Sequence, residues 1–519
     1  MTFRPTTIRV RLHLASAIAA LGATAISSFA TPAFALDPEV TSDTAAQFYD
    51  VRGPTGETVL SRRRLTTTLG VSAYDLLDRA SLPPDASRNV SELNFRARLR
   101  YDADYGASPA EADPTNFDRF VPGFSRGPVD LMYGYLEGRK FLGGYLGFKL
   151  GRQYQTDALG WWSFDGGQVK VTTPFYVAVE AYGGLEVRGG MPLSTGRFER
   201  DGVWRGDRTG LDRTTYPPFQ ANDVAPAMGV AVESSGVTWL HGRLAYRRVM
   251  NTGASNTSMF ASGLTAPTLY DGTRVSSERL GYSLDAALSD LGGAKGGIVY
   301  DFYVAKVSSL YASIDWFATK KLTASLDYDY FRPTFDGDSI WNFFQGSPSN
   351  DIGLRGSLDM SDYLSLSGSA HLRIFNTDTT QLNTTSSLNT ASSVQPYFPS
   401  SGVTFDEGFN LSANQHVGEN VNSLRVNGNF GKEGDRVGGD LLVQRLLENR
   451  FILSGRPSIW QWNDKLRVGR DATSFAFVAG IGYKIAARSK ILVEYEIDVN
   501  RLVGVRNRGM VWLSVAVTK

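Results

Sequence analysis

Along most of the chain, apolar and polar residues alternate one by one. Between Ser91 and Gly106, Leu93, Phe95, Ala97, Leu99 and Tyr101 share one parity, and Glu92, Asn94, Arg96, Arg98, Arg100 and Asp102 share the other. A β-strand sends successive side chains to opposite faces, so this stretch has one oily face and one face carrying three arginines in a row. The same period recurs at Leu65–Ala73, Leu280–Ala286, Leu310–Trp316, Leu322–Tyr330, Leu364–Ile374 and Val493–Val499. Helical periodicity prevails nowhere by comparison. Roughly nineteen segments of about ten residues follow this rule, the length at which a tilted strand crosses a bilayer.

The connections predict two kinds of rim. Short turns fall at 137–141, 233–236, 318–321, 360–363, 431–435 and 486–489, and long polar stretches at 103–128, 189–225, 251–278, 332–350, 376–420 and 446–472. A short turn at 306–309 falls where a long loop is due. Short turns on one side and long loops on the other are the outer-membrane pattern. An antiparallel barrel with both termini on one side needs an even strand count, so the reading is a single transmembrane antiparallel β-barrel of about 18 strands, with 20 as the competitor. The expected organisation is a signal peptide over 1–35, a short periplasmic lead-in over 36–45 and a barrel over 46–519, with 46–51 a candidate extra strand.

A soluble sandwich would also alternate. Three further features point to a membrane. Aromatics collect at segment ends, at Tyr101, Trp316, Phe317, Tyr330, Phe331, Tyr483 and Trp512, as interfacial girdles do. The polar face is charged at adjacent positions, at Arg96–Arg98–Arg100 and Glu494–Glu496–Asp498, which a water-filled lumen tolerates and lipid does not. The N-terminus carries Arg4, Arg9 and Arg11, an apolar run, then Ala33-Phe34-Ala35, the layout of a cleaved export signal. No later stretch offers the ~18 apolar residues of a membrane helix.

Composition narrows the chemistry. Among 519 residues there is no cysteine, which excludes disulfides and thiolate metal sites. A net charge of +1 gives no general affinity for polyanions, and no nucleic-acid partner is expected. The candidate solute-contacting residues are the inward charges Arg96, Arg98, Arg100, Lys149, Arg152, Arg243, Arg247, Arg355 and Arg373, with Asp327, Asp329, Glu494, Glu496 and Asp498 opposing them. Mixed charges across a pore favour polar solutes, and they also pair with one another and simply keep the wall wet. Aromatic stretches at 159–167 and 341–346 suit either loop packing or stacking on sugar rings. Of four histidines, His371 stands two residues from Ser369, too little to assign a catalytic dyad. The carboxylates of 102–113 do not follow a calcium-loop register. No catalytic residue, metal site or cofactor is assigned.

The stretch Leu146–Val171 has a Gly-Arg-Gln run closing one strand and an Asp-Gly opening the approach to the next. Together with 49–57 and the arginine strand, it resembles Gram-negative outer-membrane porin-like barrels, in particular alginate-export-type, exopolysaccharide-exit barrels. That resemblance implies a channel with an arginine-lined lumen passing an anionic polymer. The near-balanced acidic set departs from it. The expected function is therefore an outer-membrane channel for hydrophilic solutes, plausible as the exit conduit for a secreted polysaccharide. A general diffusion porin and a closed barrel acting as an adhesin or anchor through its long loops are the alternatives. The expected partners are outer-membrane lipids, the barrel-assembly machinery and periplasmic polysaccharide-export components.

Overall fold

Alternation at period two becomes strand almost without interruption in the computed structural model. It describes residues 37–52, 58–77, 90–104, 129–187, 224–252, 272–287, 289–335, 348–377, 402–465, 469 and 471–518. The strands are β1 (Asp37–Arg52), β2 (Thr58–Tyr74), β3 (Glu92–Asp104), β4 (Val129–Phe141), β5 (Leu146–Asp157), β6 (Gly160–Thr172), β7 (Val177–Glu186) and β8 (Pro226–Ser234). They continue as β9 (Leu240–Asn251), β10 (Arg274–Ala287), β11 (Gly292–Asp301), β12 (Lys306–Phe317), β13 (Leu322–Phe331), β14 (Ser349–Ser361) and β15 (Leu364–Thr377). The last seven are β16 (Gly402–Val417), β17 (Asn420–Phe430), β18 (Gly434–Leu447), β19 (Phe451–Asp464), β20 (Ala472–Ala486), β21 (Ser489–Asn500) and β22 (Gly504–Thr518).

Each strand pairs antiparallel with the next, and β1 pairs with β22 from Glu39↔Thr518 to Tyr49↔Arg508. The sheet is thus a closed ring with no free first or last edge, which hydrocarbon requires because it offers backbone groups no partner. The apolar parity faces outward. Met228, Val230 and Val232 of β8 are exposed by 46%, 43% and 42%, while the alternating Ala227 and Ala231 are buried. Phe475, Phe477 and Ile481 do the same on β20. An oily surface wrapped around a polar interior inverts the arrangement of a soluble sandwich. A closed, apolar-jacketed antiparallel barrel places the chain in the bacterial outer membrane.

The barrel has 22 strands rather than the 18 or 20 expected. Against the roughly nineteen segments read in the sequence, three strands account for the difference, and each hides its period. β1 begins at Asp37, so residues read as a lead-in are wall; its outward positions Val40, Ser42, Thr44 and Ala46 are too small and polar to stand out. β16 lies inside the stretch read as loop 376–420, and Glu407 sits on the parity of Phe405, Phe409 and Leu411, breaking the alternation. β19 lies inside 446–472 and carries Pro457, which has no N–H for a ladder. Its pairing with β18 is interrupted between Asp440↔Ser458 and Val443↔Gly455.

The rims sort largely as expected, except that the short turn read at 431–435 lies on the outer rim, as connection 431–433. Connections 142–145, 173–176, 235–239, 288–291, 318–321, 362–363, 418–419, 448–450 and 487–488 share one rim with the termini. Connections 105–128, 187–225, 252–273, 332–348 and 378–401 share the other, the outer rim in barrels of this kind. The apparent exception at 306–309 is the start of β12; the turn before it, 302–305, is a short connection on the outer rim. Of the aromatic positions assigned to a girdle, Phe317 and Phe331 fall on the inward parity of Asp315, Asp327 and Asp329, and Trp512 is likewise misplaced. It alternates with outward Val511 and Leu513 and points inward, with the Lys490 ammonium 5.3 Å over its ring. Residues 1–36, which include the span read as a signal peptide, lie outside the described residues.

Candidate functional site

The lumen wall is built from the polar parity of every strand. On β3, the three arginines point inward as their alternation requires, and two of them meet acids there rather than open water. Arg98 is 2.8 Å from Asp43 of β1 and donates to Thr68 of β2 at 2.8 Å. Arg100 pairs with Asp102, which also takes a two-pronged contact from Arg64 at 2.9 and 2.7 Å and a bond from Thr66 at 3.0 Å. Arg96 lies 5.3 Å over the Tyr74 ring. Asp102, read in the sequence within an external carboxylate cluster, is a wall residue buried under arginines.

The largest departure from a plain barrel is at β5 and β6. Pairing of β4 with β5 stops at Gly134↔Arg152, and pairing of β6 with β7 stops at Phe164↔Glu186. Beyond those points the two strands pair only with each other, closing at the turn 158–159. Leu159 at the tip is buried against Ala231 of β8, Ala245 of β9 and Val299 of β11, all on inner faces. It also lies over the backbone of Gly281 of β10, where a Cβ would come within 2.7 Å of Leu159 Cδ2. A turn from β5–β6 reaches those strands only by folding into the lumen. The hairpin therefore crosses inside the barrel.

The fold starts at a row of paired glycines, Gly151↔Gly166↔Gly184, across β5, β6 and β7. Gly151 has φ +123°, and a side chain there would collide with the Gly134 carbonyl oxygen; one at Gly166 would collide with that of Gly183. Only glycine lets the three backbones turn so closely. The Gly-Arg-Gln and Asp-Gly runs of the sequence flank this bend.

Each face of the hairpin has a distinct role. Trp162 and Phe164, both fully buried, stack at 4.3 Å and pack on Tyr182, Ala225, Ala227 and Val249 of the wall. Trp162 Nε1 donates to Glu186 at 3.0 Å, and the Arg247 guanidinium lies 5.2 Å over its ring while donating to the Leu159 carbonyl at 2.9 Å. The other face holds Tyr154 stacked on Trp161 at 4.6 Å and a two-pronged Arg152–Asp165 pair at 2.7 and 2.8 Å. Arg152 also donates to the Leu131 carbonyl at 2.9 Å, capping the edge of β4 that β5 leaves bare. The stretch 159–167 is thus strand, and its aromatics serve packing on one face and stacking on the other.

The remaining predicted residues fall into three groups. Below the hairpin, Lys149 faces Glu137 at 3.7 Å, and Arg243 binds Glu180 at 2.8 Å and Glu233 at 2.5 Å, with Lys170 also on Glu233. Across β13–β15, Arg355 holds Asp327 at 2.6 Å and Arg373 holds Asp351 at 2.9 Å, while Asp329 stands opposite Asp351 in register. On β21, Asp498 pairs with Arg506 and Glu496 lies 3.8 Å from Arg508; Glu494 shares their inward parity. All fourteen predicted positions lie on the wall or its hairpin, but they form several neutralised groups around the ring rather than one site.

The sequence reading missed a neutral stretch of wall. His371, Asn410, Asn427, Asn429, Arg436 and Trp460 line one recess of about 400 Å³ on β15–β19 near the outer rim. A second recess of about 500 Å³ shares Arg436 and Trp460 with it and adds Trp462, Ser458 and Ser474. Ser369 and His371 both line the first recess, and no hydrogen bond joins them.

No family model matches the chain, and no curated protein matches it by sequence. Among solved structures it is similar in barrel form to three outer-membrane proteins. The BenF-like porin from Pseudomonas fluorescens Pf-5 has TM-score 0.43 and 8% identity, covering 93% of this chain and 99% of that one. OccAB1 of Acinetobacter baumannii has TM-score 0.41 and 9% identity, covering 93% and 96%. OpdK of Pseudomonas aeruginosa, crystallised with vanillate, has TM-score 0.40 and 10% identity, covering 93% and 99%. The likeness is one of overall form.

Proposed function

We propose that the protein is a channel for hydrophilic solutes whose passage is narrowed by the inward β5–β6 hairpin. The observation that carries this reading is the anchoring of Leu159 and Trp162 on the inner faces of β7–β11. A hairpin so fixed divides the lumen without sealing it by a separate domain. The wall it leaves is wet throughout, with charges neutralised by near neighbours. Such a surface passes polar solutes and offers apolar ones nothing in exchange for their hydration. Planar-bilayer recording of the purified protein tests it. Stable single-channel steps that enlarge when the hairpin is removed are expected; a protein that never conducts overturns the reading in favour of a closed barrel with an adhesive or anchoring role.

Outward passage of a polysaccharide is the second reading. What favours it is the strip of amide and tryptophan side chains on β15–β19, which suits hydroxyl-rich chains. Against an anionic polymer stands the pairing of nearly every predicted lumen arginine with a carboxylate. A deletion strain that loses surface polysaccharide while keeping nutrient uptake would support export.

A further inference from the structure

We infer that the recess on β15–β19 is a binding site for neutral oligosaccharides, reached from the lumen of the channel proposed above. Four observations on this wall converge.

The first is unspent hydrogen-bonding capacity. Asn410, Asn427 and Asn429 face the same recess, and none of their side-chain amides has a hydrogen-bond partner among the described residues. An amide presents both donors and an acceptor, the complement of a sugar hydroxyl, which is itself both. Other inward polar residues are already engaged: Ser423 bonds Asn414 and Asn500 bonds Ser474. Three unpaired amides thus stand together at the recess.

The second is a flat surface beside them. The Arg436 guanidinium lies 4.1 Å from the centre of the Trp460 ring, so indole and guanidinium form one planar stack rimmed by N–H donors. Trp462 stands two residues on, on the same face. The apolar face of a pyranose packs on such rings while its equatorial hydroxyls reach the rim.

The third is the way the backbone makes room. Gly438 sits directly across from Trp460, where a Cβ would strike the Ile459 carbonyl oxygen and come 2.8 Å from the ring. Gly408 lies beneath His371 and Asn429, both of which a Cβ would strike. Each glycine lets a polar or aromatic side chain lie flat along the wall, which a packed core would not need.

The fourth is charge and access. Arg436 is the one formally charged residue on the first recess, and the second is balanced by Glu496, Asp498, Arg506 and Arg436 itself. A neutral ligand therefore fits better than an acid. Asn429 and Arg436 stand beside the outer connection 431–433, so the recess lies close to the mouth.

The test uses the full-length protein in detergent and in planar bilayers, with maltohexaose and cellohexaose as neutral probes and an oligomer of glucuronate as the acidic one. Binding is read by tryptophan fluorescence and, separately, by transient block of the open-channel current. Saturable binding of a neutral probe is expected, weakened about tenfold in Trp460→Ala, restored in Trp460→Phe, and weakened again in Asn427→Ala/Asn429→Ala. Asp43→Asn, on β1 and away from the recess, should leave it unchanged. Heat-modifiable gel migration confirms that each variant is a folded barrel. Conduction without neutral-sugar binding overturns the site and leaves the channel standing. Binding without conduction keeps the site and overturns the channel. Tighter binding of the glucuronate oligomer than of either neutral probe overturns the assignment of ligand class.

Discussion

The two sides of the lumen solve the problem of a polar interior differently. From β1 to β15 the wall is charged and largely self-paired, and the lumen beside it is crossed by a hairpin whose tryptophan and phenylalanine are buried on the wall. At the recess on β15–β19 most side chains are neutral, with amides and an arginine–tryptophan contact left open to the lumen. A charge in a confined space costs desolvation unless a partner is near, so acids and bases evolve into pairs that are spent on each other. Amides cost less to leave open, and so remain available to a visitor. The abundance of charge on the first side is therefore a sign of structure, and the quiet side is where solute recognition is cheaper to build.

The hardest blow to that contrast would be struck at Arg243. It is nearly buried and bridges Glu180 and Glu233 beneath the hairpin. Arg243→Ala leaves two carboxylates short of a partner, a loss of about 3–5 kcal/mol for a buried pair broken from one side. Urea unfolding of the barrel in lipid should show it, and a loss below ~1 kcal/mol would place this cluster with the solvated surface pairs. The next effect in size is on flow. Replacing residues 153–163 with a short glycine turn removes the obstruction while keeping the wall paired up to the Gly151↔Gly166 row. Single-channel conductance should rise severalfold with affinity for neutral sugars unchanged. An unchanged conductance would mean that the narrowest point lies elsewhere. Much smaller is the expected effect of Arg355→Gln. Its partner Asp327 is near, yet the arginine is half exposed, and an exposed pair is worth about 0–1 kcal/mol.

Much of this architecture is legible in the residues alone, and the reasons for what is not are local. β3, β12, β13 and β21 carry bulky apolar residues at every second position, so both the strand and its facing can be read. β1 lacks bulk on its outward face, β16 carries a glutamate there, and β19 carries a proline, so each loses the period while keeping the strand. The hairpin is hidden for a different reason. Residues 153–163 still alternate, but both faces meet protein or lumen, and no pattern of period two distinguishes a strand in the wall from one folded inside it. The glycines at 151, 166 and 184 are the local signal, and they become meaningful only once register aligns them. The recess was missed because asparagine at an inward position reads as generic polarity. That its amide lacks a partner is a fact about neighbouring strands.

The finest test concerns the three arginines of β3. If they are wall structure, their contribution to ion selectivity is only their charge. Changing Arg96, Arg98 and Arg100 to glutamine together removes three positive charges from the lumen. Changing Arg355, Arg373 and Arg506 to glutamine removes three others, each also paired with an acid. Both triple variants should shift the reversal potential in a salt gradient toward cations, by a similar amount of about twofold in permeability ratio or less. The similarity follows because solvated lumen charges act through a potential screened over about 10 Å at 0.1 M salt, which registers charge more than identity. If the β3 variant alone loses preference for one carboxylate over chloride, those arginines contact solute directly despite Asp43 and Asp102. The charged side would then recognise anions as the neutral side recognises sugars, and the contrast between them would be one of ligand rather than of purpose.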